Sequence, residues 1–156
     1  MYPTRVTETN EWTLVGEYDV VVDASNNVST RYLVNDACSQ LRTPLVSGSA
    51  LGLEGQVTVI TYRDDDHATG CYRCLYPTTP RVAMSCAENG VLGVVPGIIG
   101  CLQAVETVNL ITGVEEHLVV VQCYYDAFDS QFRHLKIATT RKLDCPSCGR
   151  HTGIES

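Results

Sequence analysis

Three rhythms of apolar residues run along this chain. Asp19-Val20-Val21-Val22-Asp23 is a β-branched run closed by acids, the mark of a short buried strand. Ser25-Asn26-Asn27 then offers side chains that can cap a helix. From Val28 to Leu41 the apolar positions are Val28, Tyr32, Leu33, Ala37, Cys38 and Leu41, which is helical spacing. Pro44 to Ala50 restarts as a strand, so the opening reads as a βαβ unit. Gln56 to Tyr62 alternates polar and apolar residues, as a half-exposed antiparallel strand does. A helix should begin at Val94 or Pro96 and end at Thr112, with Gly113 at C′. Its apolar start, Val91 to Leu102, reads as a buried core helix and falls short of a bilayer span. Leu118 to Tyr125 and Gln131 to Ala138 should form a β-hairpin. The class is therefore α/β, with a parallel start and an antiparallel finish.

Other segments carry less pattern. Residues 1–17 are polar and weakly periodic, residues 18–150 carry the domain, and residues 151–156 form a tail. Pro77 to Gly90 reads as a long loop, a length often tied to function. Asp64-Asp65-Asp66-His67 is an acidic run that reads as a solvated turn before it reads as a cation site.

Cysteine spacing adds the first chemistry. Cys71-Tyr72-Arg73-Cys74 and Cys145-Pro146-Ser147-Cys148 are two C-x-x-C clips with 70 residues between them. Together they offer four thiolates, a full tetrahedral shell for structural Zn²⁺ with no open position. Such a site ties a mid-chain loop to the C-terminal tail. A redox dithiol is the competing reading, but neither clip follows a strand and opens a helix in an obvious βαβ unit. Disulfides are the other, and Met1-Tyr2-Pro3-Thr4-Arg5 starts no apolar leader. Eight cysteines without an export signal suggest a reducing, cytoplasmic setting.

Charge narrows the partners. The formal net charge is −7, which disfavours nucleic acid and anionic membrane surfaces.

Asp23-Ala24-Ser25-Asn26-Asn27-Val28-Ser29-Thr30-Arg31-Tyr32-Leu33-Val34-Asn35 places an acid, two amides, an arginine and a third amide around a helix start. It resembles the D-x-x-D-N-x-x-x-R-x-x-x-N stretch of the MoeB/ThiF family of ubiquitin-activating-enzyme-like adenylyltransferases, and within it the eukaryotic sulfurylase branch. Pro44 to Ala50, Glu54 to Val59, the first clip, Cys86-Ala87-Glu88-Asn89-Gly90-Val91-Leu92-Gly93 and the second clip follow in family order. The resemblance implies a zinc-clamped mixed sheet, usually a homodimer. It implies Mg-ATP as co-substrate and a ubiquitin-like sulfur carrier protein as partner, whose C-terminal glycine is adenylated and passed to sulfur. By the same resemblance Asn26, Asn27 and Arg31 contact the nucleotide, Cys86 takes the acyl group or carries sulfur, and Cys71, Cys74, Cys145 and Cys148 hold the zinc.

Departures bear on that reading. The likeness covers the second half of a family domain, and these residues contain no G-x-G-x-x-G phosphate cradle. The family's magnesium-linked aspartate falls on Asn26. Read locally, Asn26 and Asn27 only cap a helix, Arg31 pairs on the surface with an acid such as Asp36, and Cys86 is an ordinary loop thiol. Cys38, Cys101 and Cys123 read as core residues. Two functions of different class follow. One is part of an activating enzyme whose glycine-rich half lies elsewhere. The other is a non-catalytic, zinc-stabilised platform for a ubiquitin-like protein or a full-length activator.

Overall fold

A computed structural model of the chain describes residues 3–61, 69–78, 90–114, 121–137 and 141–149. A short helix α1 (Glu11–Val15) precedes strand β1 (Val21–Asp23). Helix α2 (Val28–Leu41) crosses over to β2 (Leu45–Leu51), which lies parallel to β1 with Val21 opposite Leu45. Its bounds match the helix expected from periodicity. Asn27 is the N-cap and accepts the Thr30 N–H at 2.8 Å. Weak patterning hid α1, whose Val15 packs with Val34, Ala37 and Cys38 of α2 over Leu45 and Ile60.

Strand β3 (Glu54–Ile60) returns antiparallel to β2 through a two-residue turn at Gly52-Leu53. Gly52 has φ +59°, a conformation that suits glycine. The hairpin of β4 (Val121–Asp126) and β5 (Gln131–Lys136) completes a five-stranded mixed sheet in sequential order. Two expectations about these strands need correction. β3 is central and packed on both faces, Val57 in one cluster and Ile60 in the other, so Val57, Thr58, Val59 and Ile60 are all buried and the strand is not half-exposed. β1 is an edge of the described sheet, and its Val22 is 44% exposed, so it is not a buried strand.

The one-turn helix α3 (Tyr72–Leu75) has Cys71 as its N-cap, so the first clip folds as a single helical turn. Helix α4 (Val94–Thr112) covers the sheet face opposite α2 and ends at Gly113 with φ +70°. It lies close because β2 and β3 present glycines. A Cβ on Gly48 would meet Gln103, and one on Gly55 would meet Ile99, each at 2.5 Å. α4 is not a buried core helix. It turns Val95, Ile99, Gln103 and Glu106 inward and leaves Val94, Val105, Val108 and Ile111 exposed. The described helix has 19 residues and a mean hydropathy of 1.6, long and apolar enough to cross a membrane by length and composition, whereas Val91 to Leu102 alone is not. One face of it is nevertheless committed to the sheet.

Candidate functional site

Strand β1 ends at Asp23 and the chain turns through Ala24 to Asn27 before entering α2. That turn, the start of α2, β2 from Gly48 to Leu51 and the first turns of α4 enclose a cavity of about 400 Å³. Asn26, Asn27 and Arg31 all line it, so the fold brings together the three residues expected at a nucleotide.

Arg31 differs most from its local reading. It is buried, and its partner is Asp23 rather than Asp36: Nε lies 3.3 Å from Asp23 Oδ2. Nη2 donates to the Ser25 carbonyl at 3.0 Å and to the Gly48 carbonyl at 2.8 Å. Asp23 Oδ1 accepts the Ser25 N–H at 2.9 Å. The guanidinium thus fastens the turn at 24–27 to β2. Asp36 pairs instead with Arg73, at 2.7 and 2.6 Å.

Gln103 was not singled out in the sequence. Its Nε2 donates to the Asp23 carbonyl at 2.8 Å and to the Val46 carbonyl at 3.1 Å, joining the ends of β1 and β2 beneath the cavity. The available signal was an amide midway along an apolar helix. Tyr72 was also missed as a cavity residue, although it lies within a clip. Burial pushes its hydroxyl upward in pKa, while the neighbouring Arg31 pulls it back.

Across α2 the two clips converge. Cys71 and Cys145 sulfurs are 3.5 Å apart, Cys74 and Cys148 3.3 Å, Cys71 and Cys74 4.0 Å, and all four lie within 4.8 Å of one another. A tetrahedron with metal–sulfur bonds near 2.3 Å has edges of about 3.8 Å, so the donor set fits. Cys71, Cys74 and Cys145 are buried. Surrounding groups hold the clips as supporting partners of a metal site should. Asn35 Oδ1 accepts the Tyr72 N–H at 2.7 Å, and its Nδ2 donates to Ser147 Oγ at 3.3 Å. Gln40 Nε2 donates to the Ser147 carbonyl at 2.9 Å, and Arg141 Nε donates to the Cys148 carbonyl. The buried Ser39 hydroxyl finds no well-aligned partner among the described residues, yet it helps lower the Cys71 thiol.

Proton sharing shows the same preference for bound charge. The Cys148 thiol donating toward Cys71 is the main reason that Cys71 is pulled down to about 4. Cys148 is pushed up chiefly because it is that donor, and Cys145 chiefly by burial. Binding of a divalent cation by four thiols releases protons, because only the thiolate is a ligand. The four-cysteine cluster can therefore hold a metal ion.

Cys86 and Asp64-Asp65-Asp66-His67 lie outside the described residues. Of the cysteines expected in the core, Cys38 and Cys123 are buried and Cys101 is exposed on α4. Burial pushes the Cys38 thiol up to about 12 and raises Cys123 as well. Brief alkylation of the metal-loaded protein at pH 8 should label Cys101 and spare Cys38 and Cys123, read by mass spectrometry. Early labelling of Cys38 would contradict its burial. The raised Cys38 pKa also gives a sign for stability. Its contribution is complete below the thiol's ordinary pKa and fades as pH rises from about 9 toward about 12, because only the unfolded thiol ionises there.

Comparisons with known proteins agree with this geometry. The ThiF family model matches residues 1–147. The chain is 46% identical over 153 residues to a Culex quinquefasciatus adenylyltransferase and sulfurtransferase MOCS3, covering 97% of this chain and 34% of that protein. It is 43% identical over 155 residues to the Arabidopsis thaliana MOCS3, covering 98% of this chain and 32% of that protein. It thus spans about a third of the length of these relatives. Among solved structures, E. coli MccB superposes with a TM-score of 0.72 at 16% identity, covering 99% of this chain and 46% of that one. PaaA superposes at 0.53 with 16% identity, over 83% and 38%. Those two likenesses concern the fold. With the D-x-x-N-N turn, the buried arginine and the converging clips in place on a mixed sheet matched by the family model, the chain belongs to the ThiF family.

Proposed function

We propose that this chain is part of an activating enzyme that uses Mg-ATP to adenylate the C-terminal glycine of a ubiquitin-like sulfur carrier protein and passes the acyl group to sulfur. The observation that carries this is Arg31. It is buried at the cavity wall beside Asn26 and Asn27, its guanidinium fixed by Asp23 and by the Ser25 and Gly48 carbonyls. A fixed cation of this kind suits a phosphate or carboxylate, because its orientation costs nothing at the moment of reaction. The 43–46% identity to adenylyltransferase and sulfurtransferase proteins supports the same chemistry.

Within this reading each residue has a task. Arg31 meets the anionic reacting end, and Asn26 and Asn27 offer amide groups to the nucleotide and its Mg²⁺. Asn26 brings no charge, so it holds magnesium more weakly than an aspartate would. Cys71, Cys74, Cys145 and Cys148 hold Zn²⁺, which supplies folding energy and no open coordination position. Cys86 is the thiol that receives the activated acyl group or carries sulfur. A homodimer or a complementary half would cover the apolar row at Val94, Val105, Val108 and Ile111.

Asn26 favours a second reading, a non-catalytic binding platform. ATP–pyrophosphate exchange with a ubiquitin-like protein present separates the two. The 156 residues alone should stay at background, since losing even one oxyanion-type donor costs about 100-fold or more. Adding a glycine-rich family segment upstream should restore exchange, and Asn26→Asp should increase it. Background rates in every arm, with the ubiquitin-like protein still bound, would leave the platform standing and remove the enzyme.

A further inference from the structure

Asn27, Arg31 and Asn35 stand four residues apart, so they form one row along α2. The row runs from the cavity to the cysteines. Fully buried Asn35 touches the interior of both clips, through the Tyr72 N–H and Ser147 Oγ. Tyr72 lies between Cys71 and Cys74, yet its side chain is part of the cavity wall. Its ring centroid is 5.8 Å from the Arg31 guanidinium carbon and 5.2 Å from the Tyr32 ring, edge to face. Arg73, the next residue, lies over the Tyr32 ring at 4.6 Å while paired with Asp36.

We propose that Tyr72 is a positioning residue that couples the four-cysteine metal centre to the cavity. Metal held by the clips keeps the ring against Arg31, and the ring helps keep Arg31 on Asp23, Ser25 and Gly48. The proposal rests on reading the four cysteines as a zinc centre. Its physical basis is the size of α3. A helix of four residues has no stability of its own, so the bonds at its ends decide its conformation. Those bonds are the two cysteine sulfurs, the Asn35 amide, the Tyr32 hydroxyl on the Tyr76 carbonyl and the Arg73–Asp36 pair. Releasing the sulfurs removes the ties at Cys71 and Cys74, which loosens the segment that carries the ring and weakens the cation–π face offered to Arg31. Two sites that share a wall in this way are linked, and the linkage acts in both directions.

The test uses the full chain loaded with zinc. Zinc content is measured colorimetrically, amide hydrogen exchange is read at residues 24–31, and the Arg31 Nε–H resonance is followed by NMR. Residues 121–136 serve as the internal reference. Chelation should move the Arg31 resonance and speed exchange at 24–31 by about 5- to 150-fold, the usual range of such coupling. Tyr72→Leu with its zinc retained should reproduce both changes while the reference strands stay protected. Tyr72→Phe, which keeps the ring and loses only the hydroxyl that Arg31 also contacts, should shift the Arg31 resonance less than Tyr72→Leu does. In a zinc titration of the metal-free chain, that resonance should shift in step with occupancy. A chain that takes up one zinc while Arg31 and residues 24–31 do not respond to it overturns the coupling alone. So does a zinc-loaded Tyr72→Leu that leaves them unchanged. A chain that takes up no zinc overturns the zinc reading, and the coupling with it.

Discussion

Stripping the metal from the loaded protein with a strong chelator should loosen the fold and lower its thermal midpoint sharply, and restoring Zn²⁺ should raise it again. Structural zinc sites contribute about 10–16 kcal/mol of apparent binding free energy at neutral pH. A domain of this size has a total stability of about 5–15 kcal/mol. A chain with its own five-stranded sheet keeps part of its stability without the metal, so the loss is large but not total. The geometry says what is lost. The cluster pins residues 71–74 to residues 145–148, and Asn35 and Gln40 of α2 bond to those same clips. Freed clips take with them the covering of Tyr32 and the anchor of the C-terminal segment. Cys145→Ser should act in the same direction, because a serine hydroxyl is a poor substitute for a thiolate. Circular dichroism melts with matched zinc analysis check both. A transition unchanged after complete metal removal would refute the account.

Arg31→Met should destabilise the protein by about 3–5 kcal/mol, the usual cost of stranding one member of a buried ion pair. Asp23 is 4% exposed, so its carboxylate cannot turn to water when the guanidinium goes. The Ser25 and Gly48 carbonyls also lose their shared donor. The double variant Asp23→Asn with Arg31→Met should recover much of the loss, because it removes the stranded charge. Urea denaturation across the four proteins of the cycle measures the coupling directly. A single-variant cost below about 1 kcal/mol would place Arg31 in the solvated class of ion pairs instead. The same variant should remove anion binding at the cavity, which separates its two roles when the double variant regains stability without regaining binding.

Periodicity exposed the core elements well where the chain repeats over several turns. Val28–Leu41 and Val94–Thr112 were readable because each holds one helical rhythm between clear stop signals. The clips were readable for another reason, since two sulfurs two residues apart have few other uses. Burial was harder to read. Gln56 to Tyr62 alternates as if one face met water, but α4 packs on Val57 and the α1–α2 side packs on Ile60, so both faces are covered. Arg31 looked like a surface residue because nothing local shows that Gly48, seventeen positions away, will stand above it. Cys101 looked like core because the composition of α4 is apolar all round, although the sheet meets only one side.

The sequence by itself determined the order of the longer elements, the α/β class, the donor set for a metal and the turn of Asn26 and Asn27 that leads into the helix of Arg31. These are local properties, set by spacing along one strand, one helix or one clip. The tertiary structure alone decided which face of α4 is buried, which acid Arg31 pairs with, and that Tyr72 belongs to both the metal clip and the cavity. Each of those depends on contacts between segments distant in the chain, such as Gln103 with Asp23 and Asn35 with Ser147. No periodicity encodes them, because packing brings such pairs together only after both elements have formed.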